Sequence, residues 1–532
     1  MAERVHLDGR SLTPEAVERV ARDHVEVELA PTAHEAIAQS RTRVETLLGS
    51  DEAVYGVTTG FGRLVDERID HADLKALQTN LLRSHAAGVG EPLPEEVVRA
   101  MLVTRANALA MGFSGVRPVV VERLIDLLNH GIHPEIPRRG SLGASGDLAP
   151  LAHLALVLLG EGAARVDGTL VDGATALEEA GFEPLELDAK EGLALINGTQ
   201  LSLAIGALLV VDMQRVVDAA DTAGAMTTEV TMSTTTNCEP GIAAVRPHGG
   251  HAAVAANIRR LTEDSTVLAA HEECERVQDV YSIRCIPQVH GAVRTALTHL
   301  REVIEIELNA ATDNPLVFAR DTVDERALGT GDAAVLSGGN FHGEPLALPL
   351  EYAQGALAEL ATISERRVDR LLNPSVQEEY LPPFLARDPG VESGYMLAQY
   401  TSAALGTQAR SIGRPSLDNV TVSGNQEDHV SMSVEAALKA RETLEATRQA
   451  IGAELICATE ASRYLPEGLT LASTTAEVAG LVRSRVDPLE GDRPIAPAFE
   501  AVDALIAEGE LEEAIDGPLN NRRQPPDASA FR

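Results

Sequence analysis

Apolar positions recur along most of the chain at three- and four-residue spacing, the period of a helix that buries one face. The pattern predicts helices over about 95–112, 117–131, 147–160, 198–222, 249–264, 288–311, 343–373, 394–412, 427–463 and 497–514. The segment 427–463 would extend roughly 55 Å at 1.5 Å per residue. On it Ser433, Ala436 and Ala437 sit beside Val434 and Leu438, small side chains that let a neighbouring helix approach closely. Strand signals are few. Val5-His6-Leu7 leads into Asp8-Gly9, and the stretch 164–170 is interrupted by the hairpin dipeptide Asp167-Gly168. The expected fold is mainly α: a long-helix bundle core with a smaller N-terminal region carrying short strands. The expected division is 1–195, 196–465 and a C-terminal helical addition over 466–532, with a tail that frays after Gly517.

With 532 residues, 44% hydrophobic and 23% charged, the chain is globular and too long for one core. Trp is absent, so Leu, Val, Ala and Ile must build the interior. Eighty acidic against 44 basic residues give a net charge of −36, and only Lys75, Lys190 and Lys439 are lysines. Such a surface repels phosphate backbones, which excludes nucleic acid as a partner, and it suits a salt-rich cytoplasm. The four cysteines show neither C-x-x-C nor zinc spacing, as expected of thiols in a reducing cytosol. The first 23 residues carry charges throughout, unlike a secretory signal, and no uncharged apolar run reaches about 18 residues, so no membrane span is expected.

Candidate chemistry centres on Gly140-Ser141-Leu142-Gly143-Ala144-Ser145-Gly146-Asp147-Leu148-Ala149-Pro150. Three glycines within seven residues give a backbone able to fold on itself just before an apolar helix. Gly146 has no side chain to keep its amide nitrogen from the carbonyl carbon of Ala144. Closing that five-membered ring and losing the Ser145 hydroxyl would remove two waters and leave an exocyclic methylidene, a strong electrophile. Taken alone, the tripeptide is common and reads as a flexible loop before a helix N-terminus.

Its surroundings decide between the two. The chain carries Tyr55-Gly56-Val57-Thr58-Thr59-Gly60-Phe61-Gly62, Ser84-His85-Ala86-Ala87-Gly88, the glycine-rich segment above and Asn197-Gly198-Thr199-Gln200. Further on come Val277-Gln278-Asp279-Val280-Tyr281-Ser282-Ile283-Arg284-Cys285, Asp313-Asn314-Pro315, Ser337-Gly338-Gly339-Asn340-Phe341-His342-Gly343-Glu344 and Asn425-Gln426-Glu427-Asp428-His429. In these blocks, in this order, the chain resembles the aromatic amino acid ammonia-lyases that carry a methylidene-imidazolone (MIO), and among them those acting on histidine.

The resemblance implies that Ala144, Ser145 and Gly146 become the MIO, with Ser145 as a dehydroalanine and Ala144 cross-linked to Gly146, and that no dissociable cofactor or metal is needed. It implies Tyr55 as the base for the substrate β-proton, Asn197 and Tyr281 beside the MIO, and Gln278 and Phe341 lining the pocket. Arg284 is implied for the substrate carboxylate, and His85 with Glu427 for the substrate ring. It further implies conversion of L-histidine to trans-urocanate and ammonia as the first step of histidine breakdown, by a cytoplasmic homotetramer whose active sites combine loops from three subunits. Two departures are small: Val280 stands where the family often has Pro, and Gly343 where Ala is common.

The residue chemistry agrees. A tyrosine titrates near 10, so it acts as a base only beside positive charge or oriented donors, and Arg284 offers such a charge along with a two-point fork for a carboxylate. An imidazole presents one donor and one acceptor, or two donors when protonated. A histidine and a carboxylate satisfy it, whereas a phenyl ring would leave both unpaired at roughly 1–3 kcal/mol each. In isolation His85 would read as a loop histidine and Glu427 as a first-turn carboxylate on a helix dipole. Asp428, His429 and His342 lack the spacing of a metal motif and are expected to form structural hydrogen bonds. His153 and His290 are expected to be packed or at the surface. No P-loop, Rossmann glycine set or G-x-S-x-G elbow is present.

Overall fold

The computed structural model describes residues 4–49, 73–271 and 277–531. The block Tyr55–Gly62, including the base candidate Tyr55, and Cys274 lie outside the described residues. The fold is mainly α, and the four longest helices among the described residues are Gln200–Val230, Ile286–Leu308, Glu344–Leu372 and Ser433–Ala461. Among the described residues no helix is long and apolar enough to cross a membrane. The chain forms two compact units, each assembled from three separate stretches.

The first unit takes residues 1–208, 301–350 and 414–438. It holds every described strand. Arg4–Leu7 pairs in parallel with Glu26–Leu29, and Val89–Pro92 pairs antiparallel with Pro137–Arg139. Ile132–Pro134, Ala163–Val166 and Thr169–Asp172 form an antiparallel triplet whose last connection is the expected turn at Asp167-Gly168. A fourth sheet, the antiparallel pair Leu316–Ala319 with Ala333–Leu336, was not among the expected strands. Helix Glu95–Ala110 is buried along nearly its whole length and packs on Pro118–Asn129, while Leu74–His85 packs on Leu148–Leu158.

The helix expected from 427 starts only at Ser433. Upstream amides are committed elsewhere: Val430 N donates to Asn419 Oδ1 (3.0 Å) and Met432 N to Leu142 O (2.8 Å). Met432 itself has φ +55°, which a helix cannot include. Glu427 therefore lies in a loop, where no first-turn dipole acts on it. Residues 497–514 are likewise two helices, Ala496–Ala507 and Glu510–Ala514, parted by Gly509 at φ +80°.

The second unit takes residues 209–300, 351–413 and 439–532 and is helical throughout its described secondary structure. Its interior holds charge. Arg367 grips Glu454 through Nε (2.6 Å) and Nη2 (2.9 Å), and Arg294 bridges Asp218 (2.8 Å) and Asp221 (2.7 Å). His290 Nδ1 meets Asp221 (2.7 Å) and its Nε2 faces Arg367, so both ring nitrogens are engaged. The tail does not fray at 517. Leu519 N donates to Asp218 (3.1 Å), Arg294 to Asn521 (2.7 Å) and Arg523 N to Gly249 O (3.1 Å). Buried carboxylates and amides need these partners, so the chain end is held by them.

Candidate active site

Within the first unit, Gly140, Gly143 and Gly146 all take positive φ (+145°, +67°, +72°), as the glycine spacing requires. Ser141 Oγ accepts from Gly143 N (3.1 Å) and donates to Asp147 Oδ1 (3.0 Å), closing the loop on itself. Asp147 is fully buried, and its Oδ2 accepts Leu201 N and Ser202 N, both at 2.9 Å. These are orphan amides of the first turn of helix Gln200–Val230, so one carboxylate caps that helix and anchors the loop. Burial pushes the Asp147 carboxyl up to about 6, against the opposing pull of its hydrogen bonds. Its backbone N donates to Gly198 O (2.7 Å), and Gly146 bridges to Gly198 beside it.

Ser145 Oγ donates to Asn197 Oδ1 (3.3 Å). Asn197 ends the short helix Glu191–Ile196, is 2% exposed, and donates Nδ2 to Asn314 O (2.8 Å). Two distant segments close over Gly143: its O accepts from Gly343 N (3.2 Å) and from Ser431 Oγ (3.1 Å). A Cβ at Gly343 would fall 2.2 Å from Ser433 Oγ, so an alanine there would require that hydroxyl to turn aside. The stretch bearing Phe341 is tethered at its start, where Asn314 Oδ1 accepts Gly338 N (2.7 Å) and Ser337 Oγ (3.2 Å).

His85 is the last residue of helix Leu74–His85. Its Nδ1 lies 2.8 Å from Leu81 O; a carbonyl only accepts, so Nδ1 carries the proton and a neutral ring keeps Nε2 as an acceptor. Glu427 is half-buried, and burial raises its carboxyl above the ordinary range, an effect that His85 opposes only when its ring is protonated. His153, set aside as packed or at the surface, accepts Gly88 N (3.1 Å) and so braces the segment after His85.

Gln278, Tyr281 and Arg284 belong to the second unit. Arg284 Nη1 donates to Gln278 Oε1 (2.5 Å) and Tyr281 is exposed. The turn Tyr281–Arg284 is held at its carbonyls: Arg367 donates to Ser282 O (3.2 Å) and Asn237 to Arg284 O (3.0 Å). Val280 has φ −66°, the angle a proline would impose, so the departure from Pro leaves the backbone unchanged.

His342, Glu344 and His429 bring potential metal-ligand atoms within 4.8 Å of one another. Their hydrogen bonds assign the protons. Asn419 Oδ1 accepts Val420 N and Val430 N, so Asn419 Nδ2 must donate to His429 Nδ1 (2.7 Å). Glu344 N donates to His342 Nδ1 (3.3 Å). Both rings therefore carry hydrogen on Nε2, and neither offers a metal a lone pair while these bonds stand.

Residues 12–484 match the family described as aromatic amino acid lyase. The chain is 58% identical over 521 residues to a probable histidine ammonia-lyase of Halobacterium salinarum, covering 97% of this chain and 99% of that one. It is 46% identical to a histidine ammonia-lyase of Natranaerobius thermophilus, with 95% and 97% covered. Among solved structures it is similar to histidine ammonia-lyase from Trypanosoma cruzi (TM-score 0.88, 39% identity, 97% and 95% covered). It is as similar to a tyrosine aminomutase from Streptomyces globisporus (TM-score 0.89, 37% identity, 98% and 100% covered).

Proposed function

The chain belongs to the aromatic amino acid lyase family, and from that premise we propose that it eliminates ammonia from L-histidine to give trans-urocanate. The electrophile is an MIO made from Ala144, Ser145 and Gly146. Gly146 N bonds to the Ala144 carbonyl carbon, whose oxygen leaves as water with the amide hydrogens of Ser145 and Gly146. The Ser145 hydroxyl leaves as a second water with the Cα hydrogen. Once formed, the group supplies an electron-poor methylidene that draws on the substrate amine and eases its departure. The residues fit it: the carrying observation is a loop in which Gly146 abuts Gly198 backbone while the Ser145 hydroxyl rests on Asn197.

The remaining roles follow the chemistry each side chain offers. Tyr55 takes the β-proton. Asn197 Oδ1 accepts an N–H of the substrate, and Tyr281 borders the same atoms. Arg284, with Gln278 beside it, holds the substrate carboxylate. Phe341 packs on the substrate, and His85 Nε2 and Glu427 read its ring. Fold alone does not choose the substrate, since a histidine ammonia-lyase and a tyrosine aminomutase match it equally; the sequence similarity to histidine ammonia-lyases and the polar pair His85 and Glu427 support histidine. The assembly is a cytoplasmic homotetramer with shared active sites, acting at the entry to histidine degradation. Purified protein supplied with L-histidine should form urocanate, read by its ultraviolet absorbance. Failure to do so, with ammonia released from phenylalanine or tyrosine instead, would overturn the substrate reading.

A further inference from the structure

We infer that Lys190 and Asp313 are positioning residues for the electrophile: their buried ion pair fixes which end of the Asn197 amide faces residue 145. The inference rests on the MIO reading above. Lys190 is fully buried and Asp313 is 2% exposed, and Lys190 Nζ donates to Asp313 Oδ2 (2.5 Å). The other carboxylate oxygen serves the Asn197 side. Asp313 Oδ1 accepts Asn314 N (2.7 Å) and lies 3.4 Å from Asn197 Nδ2, while Asn314 O accepts the same Nδ2 at 2.8 Å. Three donors thus converge on a group that can only accept.

This convergence determines the amide. With both Nδ2 hydrogens directed at Asp313 and Asn314, Oδ1 is the atom left facing Ser145 Oγ. The reversed amide would turn its oxygen on a carboxylate and a carbonyl, and its NH2 group on the serine. Local backbone supports the arrangement. Lys190 caps the start of helix Glu191–Ile196 in a left-handed conformation (φ +75°), and Asn197 ends that helix, so six residues bring both ends to Asp313. Burial lowers the Lys190 ammonium from its ordinary range, and Asp313 opposes that shift. Arg105, also buried, adds positive charge near Asp313 while donating to Gln200 Oε1 (2.7 Å) and Ala194 O.

The test follows loss of two waters by intact mass, and growth of the MIO absorbance, after synthesis of the full chain. Asp313→Asn keeps shape but sets an NH2 group against one of the converging donors. It should slow maturation on the order of tenfold, the scale of one misplaced hydrogen bond. Lys190→Gln with Asp313→Asn makes a complementary amide pair and should restore maturation. If folded Asp313→Asn loses both waters at the wild-type rate, or if the folded double variant fails to recover, the positioning role is overturned and the electrophile stands. If Asp313→Asn does not fold, Lys190→Met with Asp313→Leu takes its place and should mature as slowly, because it removes both charges and both carboxylate acceptors and leaves Asn197 Nδ2 only Asn314 O; loss of both waters at the wild-type rate overturns the positioning role. A wild-type chain of full mass overturns the electrophile and this inference together.

Discussion

A Cβ at position 146 would fall 2.2 Å from the carbonyl oxygen of Gly198, and Gly146 already sits at φ +72°. Backbone presses on backbone there, and no side-chain rotation relieves it. Gly146→Ala should therefore block maturation even though the added volume is one methyl group. Wild-type chain should be lighter by two waters, with the loss mapped to the peptide containing Ser145, and both Gly146→Ala and Ser145→Ala should have full mass. Turnover should fall in both by at least three orders of magnitude, on the order of the loss when a covalent catalytic group is removed. A full-mass wild type that retains turnover would refute the mechanism.

Asp147 makes a prediction about pH. Its ordinary value is 3.8 and burial raises it to about 6 in the folded chain. A raised folded value means the protonated form is favoured on folding. That contribution is complete below about 3.8 and is lost as pH rises through about 6, a change of about 3 kcal/mol. Asp147→Asn preserves an oxygen for Leu201 N and Ser202 N and does not titrate. The wild type should lose melting temperature relative to Asp147→Asn between pH 4 and pH 7. Parallel curves for the two proteins across that window would rule the shift out.

Helix Glu95–Ala110 was identified nearly residue for residue, because its apolar run is unbroken by Gly or Pro and its main helix partners, Pro14–Ala21 and Pro118–Asn129, lie within about a hundred residues of it along the chain, although its burial extends to polar Arg99, Arg105 and Asn107. The glycine-rich loop was equally legible, since positive φ at Gly143 and Gly146 leaves a mark in composition. Glu427 was misplaced on a helix because the amides after it are claimed by Leu142 and Asn419, and no local pattern announces so distant an acceptor. The same holds for Asp147 as a helix cap, for Lys190 on Asp313, and for the docking of Asn521 on Arg294. Each of the two units also draws on three separate stretches, a grouping that no reading along the chain contains.

Net charge of −36 predicts dependence on salt. Like charges on a compact surface repel, and screening shortens their reach from about 10 Å at 0.1 M to about 3 Å at 1 M. Melting temperature should rise, and assembly should improve, from dilute buffer to molar sodium chloride. The exposed pairs Arg4–Glu26 and Arg326–Asp324 are weakened by the same screening, but such contacts contribute little individually. The net effect of salt should therefore be stabilising. Equal melting temperatures at both concentrations would count against adaptation to salt.

Substrate choice turns on His85 and Glu427. Because Leu81 O holds the proton on His85 Nδ1, a neutral His85 offers only an acceptor, and Glu427 offers a carboxylate whose protonation is made easier by burial. Such a pair suits a ring with N–H groups and leaves both members unsatisfied against a phenyl ring. Glu427→Gln keeps size and removes charge. It should lower kcat/KM for histidine by roughly 10- to 100-fold, the scale of a charge-assisted hydrogen bond. His85→Leu should also slow histidine, yet it removes a polar penalty against apolar rings, so the ratio of cinnamate to urocanate formation should rise. Neither change touches the 144–146 loop, so the MIO absorbance should be unaltered in both. Unchanged histidine kinetics in Glu427→Gln, or a wild type that forms cinnamate faster than urocanate, would remove the assignment to histidine. Either result would leave the elimination chemistry in place, because that chemistry rests on Ser145, Gly146 and Asn197 rather than on the residues that read the ring.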